Sequence, residues 1–259
     1  MILRGSYSSD ILRTTTNVQF LIPDKMKGPY KAAYLLHGLH ANHGAWMDYS
    51  MLPYYAKKYD IIFVMPEVGR SFYCDVKYGR KYFSFLCEEL PEICRNIFNI
   101  STKREDNAVI GYSMGGYGAL RMALSKPQEY SFCGSISPAC LFFKPILDTL
   151  RNNESKFKYM DDIETEELKK DLYAIYGEKV EYNPEYDVIE QLKKFPDNLP
   201  KPKIYVTCGT EDSLLKENHA FHNIIKEMSF DYTYEEWQGD HDWDFFNEAM
   251  KKTLEFWRA

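Results

Sequence analysis

The sequence predicts an α/β fold, a mostly parallel β-sheet with helices packed on both of its faces. Three observations lead there. Short, almost uniformly apolar runs occur at 32–36 and 61–65, among others. Helix-length amphipathic segments alternate with them, as at 78–98 and 245–257. Turn-forming residues separate the two kinds of segment. A strand buried on both faces loses the apolar–polar alternation of a half-exposed one, and crossover helices bury a parallel sheet in that way.

Taken in order, strands are expected at 18–22, 32–36, 61–65, 108–110, 132–136, 203–208 and 232–237. Helices are expected at 78–98, 115–125, 218–228 and 245–257. The first strands follow one another without helices, so the sheet is expected to begin antiparallel. One stretch, 140–202, interrupts the rhythm with charged, irregular sequence (NNESKFKYMDDIETEELKKDLYAIYGEK within it). A structureless loop of that length would be unusual inside a domain, so it is read as a helical insertion, placed as a cap or lid within a single domain spanning 1–259.

With 259 residues, 45% hydrophobic and 27% charged, the chain can build one large core. Its formal net charge of -6 argues against a nucleic-acid partner, since phosphate binding needs a basic face. No run approaches the about 20 apolar residues of a membrane span, so no membrane partner is expected. The N-terminus MILRGSYSSDILR lacks a signal-type apolar core, and the six cysteines form no C-x-x-C pair. Reduced thiols and a cytoplasmic location are the corresponding expectations. The sequence leaves homo-oligomerisation open.

The strongest local signal is NAVIGYSMGGYGAL at 107–120. An apolar strand runs into G-x-S-x-G at Gly111, Ser113 and Gly115, and a helix starts straight after. That is the context of a nucleophile elbow, where the serine occupies a strained turn and any neighbouring side chain would strike backbone. Serine needs a base, and the base needs an orienting carboxylate. Downstream, KIYVTCG empties into TEDSLL and DYTYEEW empties into QGDHDW. Asp212 and His241 thus stand at the carboxyl ends of successive strands, in the chain order Ser, Asp, His. His219 and His222 fall in a helical pattern and are read as surface or packing residues. For the acid, Glu211 is the main rival, Asp240 and Asp242 flank the histidine too closely, and Asp187 is more distant. The N–H groups of Met114 and of Leu39, after the early strand AAYLLHG, are the candidate oxyanion donors. His37, His40 and His43 recur every three residues, but no carboxylate or cysteine follows at ligand spacing, so neither metal nor cofactor is expected.

LLHGLHANHGAW, SFYCDVKYG and GYSMGGYGALRMAL, with GTEDSLL and GDHDW near the end, resemble the esterase D family of α/β-hydrolases, most closely its tributyrin-esterase branch. The resemblance covers nearly the whole chain. It implies an α/β-hydrolase fold and a serine carboxylesterase acting on short-chain acyl esters, with Ser113, Asp212 and His241 as triad and the Leu39 and Met114 amides as oxyanion hole. Feruloyl or acetylxylan esterases, acting on esterified oligosaccharide, are the alternative within the family. S-formylglutathione hydrolases come next; they usually carry a cysteine-containing stretch after HGL, where this chain has HANHGAW. Mycolyltransferases share the SFY-x-D pattern but are exported. A non-catalytic binding protein on the same fold is the alternative outside enzymes. Trp46, Phe72 and Tyr73 are candidate pocket residues.

Overall fold

The computed structural model describes residues 1–24, 28–152, 157–159 and 165–258. β1 (Ile2–Ser9), β2 (Thr14–Leu21), β3 (Lys31–Leu36), β4 (Ile61–Pro66), β5 (Asn107–Tyr112), β6 (Phe132–Ile136), β7 (Lys203–Gly209) and β8 (Tyr232–Trp237) form one sheet. Their order across it is β1-β2-β4-β3-β5-β6-β7-β8. β1–β2 and β2–β4 pair antiparallel, and every pairing from β4 to β8 is parallel. The antiparallel start is therefore present, with an additional edge strand that the sequence reading missed. β1 leaves its side chains exposed or half-buried as far as Ser8, so it carries no apolar face to read.

The crossovers follow from the pleat. In β5, Val109 and Ile110 point to opposite faces, and each enters a different core cluster. Both faces need cover. α1 (Ala45–Asp48) and α2 (Leu52–Tyr55) join β3 to β4. α3 (Tyr82–Ser84) continues through a π-helical turn, Phe85–Glu89, into α4 (Leu90–Phe98). This helical run starts at Tyr82 rather than near 78 because Val76 N–H bonds Arg80 O at 3.0 Å, closing a turn first. α5 (Met114–Ser125) links β5 to β6, α9 (Leu215–Ile225) links β7 to β8, and α10 (Trp243–Arg258) closes the chain. α5 is buried on every side from Met114 to Leu124 because the sheet covers one face and the insertion the other.

The insertion lies between β6 and β7 and contains α6 (Phe143–Asn152), α7 (Thr165–Tyr176) and α8 (Val188–Lys193). Its residues 153–156 and 160–164 lie outside the described set. The described part is pinned to the body by polar side chains set in an aromatic layer. Tyr117 OH donates to Tyr186 O at 2.5 Å, Tyr186 OH to Asp75 O at 3.0 Å, and Arg70 pairs with Asp171 at 2.7 Å. Phe143 packs edge-on to both Phe72 and Tyr117. All six cysteines are free. Among the described residues no helix is long and apolar enough to cross a membrane.

Candidate active site

Ser113 sits between β5 and α5 with φ 54° and ψ −124°, a conformation that L-residues rarely adopt. The glycines on either side make it attainable. A Cβ on Gly111 would lie 2.1 Å from Gly115 O, and one on Gly115 would lie 2.3 Å from Leu36 O. The turn is fixed from β6, since Ser113 N–H donates to Ile136 O at 2.9 Å.

The residues expected to act together are brought together. His241 Nε2 stands 2.9 Å from Ser113 Oγ, and His241 Nδ1 stands 2.9 Å from Asp212 Oδ2. A carboxylate only accepts, so Nδ1 carries the proton and Nε2 is free to receive one from the serine. Asp212 is fully buried at its side chain, and its second oxygen accepts Leu214 N–H at 2.8 Å. Burial alone would raise its pKa. The hydrogen bonds from His241 and Leu214 prevail and hold it below the usual carboxylate range, so the group remains an anion.

The rival acids are engaged elsewhere. Glu211 is exposed and meets Gln238 at 3.2 Å. Asp240 accepts the backbone N–H of His241, Asp242 that of Phe245, and Asp187 those of Ile189 and Glu190. His219 bonds Glu236 and His222 bonds Tyr232, so neither contributes to the Ser113 cluster.

The loop after β3 is tied down by side chains. Trp46 Nε1 donates to Leu36 O at 3.2 Å, Tyr73 OH to His37 O at 2.8 Å, and His37 Nδ1 to Gly38 O at 2.8 Å. Glu67 lies 3.5 Å from His37 Nε2 and 2.9 Å from His43 Nδ1. Burial pushes the Glu67 carboxyl up, but the hydrogen bonds it accepts from His37, His43 and Gly69 N–H outweigh it and hold the pKa well below the ordinary range. Two of the three spaced histidines therefore brace the loop. The third, His40, lines the cavity.

That cavity, about 310 Å³, opens at Ser113 and His241 and is walled by Leu39, Tyr49, Tyr112, Trp243 and Phe246 among others. Leu39 thus faces it, and Met114 is the first residue of α5. Trp46, Phe72 and Tyr73 do not line it. Each is at most 1% exposed, so the expectation that they contact substrate is corrected. Trp46 stands behind the wall, edge-on to Tyr112 at 5.1 Å and Trp243 at 5.5 Å. The sequence reading passed over the walls themselves. The only hint was W-x-x-F directly after GDHD, which puts Trp243 and Phe246 on one face of α10. No described residue of the insertion lines the cavity.

Comparison with known proteins identifies the family. The model of the family described as "Putative esterase" matches residues 9–256. An acetyl esterase from Caldicellulosiruptor saccharolyticus is 30% identical over 268 residues, covering 98% of this chain and 97% of the relative. Two Staphylococcus aureus structures, both 26% identical, cover the whole chain. They are the fluorophosphonate-binding serine hydrolase FphF, with TM-score 0.85 over 98% of its length, and the S-formylglutathione hydrolase FrmB, with TM-score 0.82 over 99%. With a family match across nearly its full length, the chain belongs to the esterase family and is a serine esterase.

Proposed function

We propose that this protein hydrolyses short-chain acyl esters through a covalent acyl-enzyme on Ser113, with His241 as general base and then general acid and Asp212 as its orienting partner. The observation that carries the reading is the unbroken chain Asp212 Oδ2–His241 Nδ1 and Nε2–Ser113 Oγ, each link 2.9 Å, at the floor of a small aromatic cavity. Ser113 Oγ attacks the ester carbonyl carbon and its proton passes to Nε2. The carbonyl oxygen becomes an oxyanion, taken up by the N–H groups of Leu39 and Met114. Collapse expels the alcohol, which takes the proton from Nε2 and leaves the acyl group on Ser113. Water repeats the sequence in reverse and releases the acid.

A cavity of about 310 Å³ is at the small end of ligand sites, which favours small acyl groups. Four aromatic walls, Tyr49, Tyr112, Trp243 and Phe246, favour a second reading in which the acyl group is itself aromatic, as in a feruloyl ester. The insertion at 140–202 is proposed to serve as a cap on this site, supported by its origin beside the nucleophile, where Ser113 O accepts Ala139 N–H at 3.2 Å. A panel of p-nitrophenyl acetate, butyrate and octanoate with methyl ferulate separates the two readings, with a maximum at acetate or butyrate expected. Ser113→Ala should lose turnover by orders of magnitude and lose labelling by a fluorophosphonate probe. Labelling retained at another residue, with activity intact, would reject the nucleophile.

A further inference from the structure

A short strap, Ser137 to Leu141, runs from the end of β6 to the start of the insertion and touches the Ser113 turn. The carbonyl of Ser113 accepts Ala139 N–H at 3.2 Å, just as its N–H is held by Ile136 O. Two strap residues that are not glycine have left-handed backbone, Ser137 at φ 43° and Cys140 at φ 57°. Such conformations persist only where the surroundings impose them.

Helix α9 imposes them. Asn218 Nδ2 donates to Pro138 O at 3.1 Å and also to Leu214 O at 3.0 Å, two residues beyond Asp212. Glu217 takes the other end of the strap. Its Oε1 accepts Leu141 N–H at 2.6 Å and its Oε2 accepts Tyr159 OH at 2.5 Å, while the Tyr159 hydroxyl oxygen in turn accepts Cys140 N–H at 2.6 Å. One carboxylate therefore anchors two consecutive amides, one directly and one through a phenol. Glu217 is half-buried as a residue, with its carboxyl turned inward onto these donors.

We propose, on the reading of Ser113 as nucleophile, that Glu217 is a positioning residue for the ester hydrolysis: its ionised carboxylate, with Tyr159, clamps the Ser137–Leu141 strap and so fixes the Ser113 turn. Burial pushes the Glu217 pKa up to about 7, the donated hydrogen bonds offsetting only part of it. The titratable groups acting on it from the insertion side are Tyr159 and Cys140, both driven well above their ordinary values by burial and hence neutral. Protonation breaks the pattern. Tyr159 OH already accepts from Cys140 and donates to Glu217, so a proton on Oε2 sets two hydroxyls against each other with one acceptor lost. The clamp loosens as pH falls through about 7.

The test is kcat and KM for p-nitrophenyl acetate from pH 5 to 9, on the full chain, for wild type, Glu217→Gln and Tyr159→Phe. Glu217→Gln is expected to lower kcat about 10-fold at pH 8 with KM changed less than about twofold, as a displaced nucleophile would. On the acid side, wild type should lose an extra factor of about 10 through pH 7, so that log kcat falls there with a slope steeper than one proton, and Glu217→Gln should fall with a slope of one. Tyr159→Phe should give a similar loss that does not add to that of Glu217→Gln, because both break one network. Wild-type kcat and slope in Glu217→Gln would overturn the proposal. So would a lower kcat with the extra acid-side loss unchanged, which marks a merely structural contact. If Glu217→Gln does not fold, Tyr159→Phe decides by the same slope. Absence of both hydrolysis and fluorophosphonate labelling in wild type would instead reject the esterase reading of Ser113, and the clamp with it.

Discussion

Asp212→Asn is the substitution for which the structure gives the most determined outcome. Asp212 Oδ1 accepts Leu214 N–H at 2.8 Å and Oδ2 faces His241 Nδ1 at 2.9 Å. An asparagine offers one acceptor and one donor where two acceptors are needed. If its oxygen keeps Leu214, its NH₂ faces Nδ1, which must then accept. The imidazole proton moves to Nε2 and blocks the transfer from Ser113. If its oxygen faces Nδ1, the NH₂ opposes Leu214 N–H in a fully buried place. A charge-assisted hydrogen bond is worth about 1.5–3 kcal/mol, and an unpaired buried donor costs about 1–3 kcal/mol more. Together, about 2.5–6 kcal/mol corresponds to a loss of roughly 10²–10⁴ in kcat/KM. Steady-state kinetics on p-nitrophenyl acetate measures it. Glu211→Gln, exposed and bonded to Gln238, should stay within a few-fold of wild type. A crippled Glu211→Gln beside an active Asp212→Asn would refute the assignment.

Three further outcomes are expected. Gly115→Ala places a methyl 2.3 Å from Leu36 O, a backbone atom that cannot swing aside, so thermal unfolding should show destabilisation of about 3 kcal/mol or more. Trp243→Ala opens the aromatic wall and should move the acyl-length optimum upward while acetate turnover falls less than about tenfold; a uniform loss across the panel would remove Trp243 from the specificity surface. Stability should peak on the acid side of neutrality. Glu217 titrates near about 7 when folded against about 4.3 when unfolded, so the native state holds the extra proton in that window and gains stability as pH falls through it. Asp212 and Glu67, whose folded values are depressed, contribute stability present above about 4 and lost at lower pH. The Tm of Glu217→Gln should therefore vary less between pH 5 and 8 than that of wild type.

Much of the site was legible because its geometry is local. Gly111–Ser113–Gly115 announces its tight turn within five residues, and Asp212 and His241 each end a strand that announces itself by composition. Less was legible where contacts are long-range. Trp46 and Tyr73 look like pocket aromatics in sequence, but they bond Leu36 O and His37 O across the loop and hold it from behind. Tyr49 looks like a surface residue and indeed is 65% exposed, but stacking on Trp243 at 5.7 Å makes it part of the wall. The role of the spaced histidines was out of reach because their partner, Glu67, lies 24 residues beyond His43; its carboxylate takes both His37 and His43. β1 was missed for the opposite reason, because an edge strand without a buried face has no period to detect.

The insertion meets the reaction centre through two arms rather than one wall. At its start, the strap between β6 and α6 bonds the Ser113 carbonyl through Ala139 N–H. At its far side, Tyr186 OH bonds Asp75 O and Tyr117 OH bonds Tyr186 O, fixing the segment that carries Tyr73, whose hydroxyl holds His37 O beside the Leu39 turn. Arg121 reinforces the second arm: on α5, eight residues beyond Ser113, it bonds the carbonyls of Tyr73 and Glu185 and lies between the rings of Phe83 and Tyr186. Turns on both sides of the proposed oxyanion position are thus braced by one buried aromatic layer. In a packed layer, displacement at one end is transmitted rather than absorbed. This is why a chain can keep its catalytic loops short and its nucleophile strained: the rigidity that Ser113 requires is supplied by sequence as far away as Tyr186.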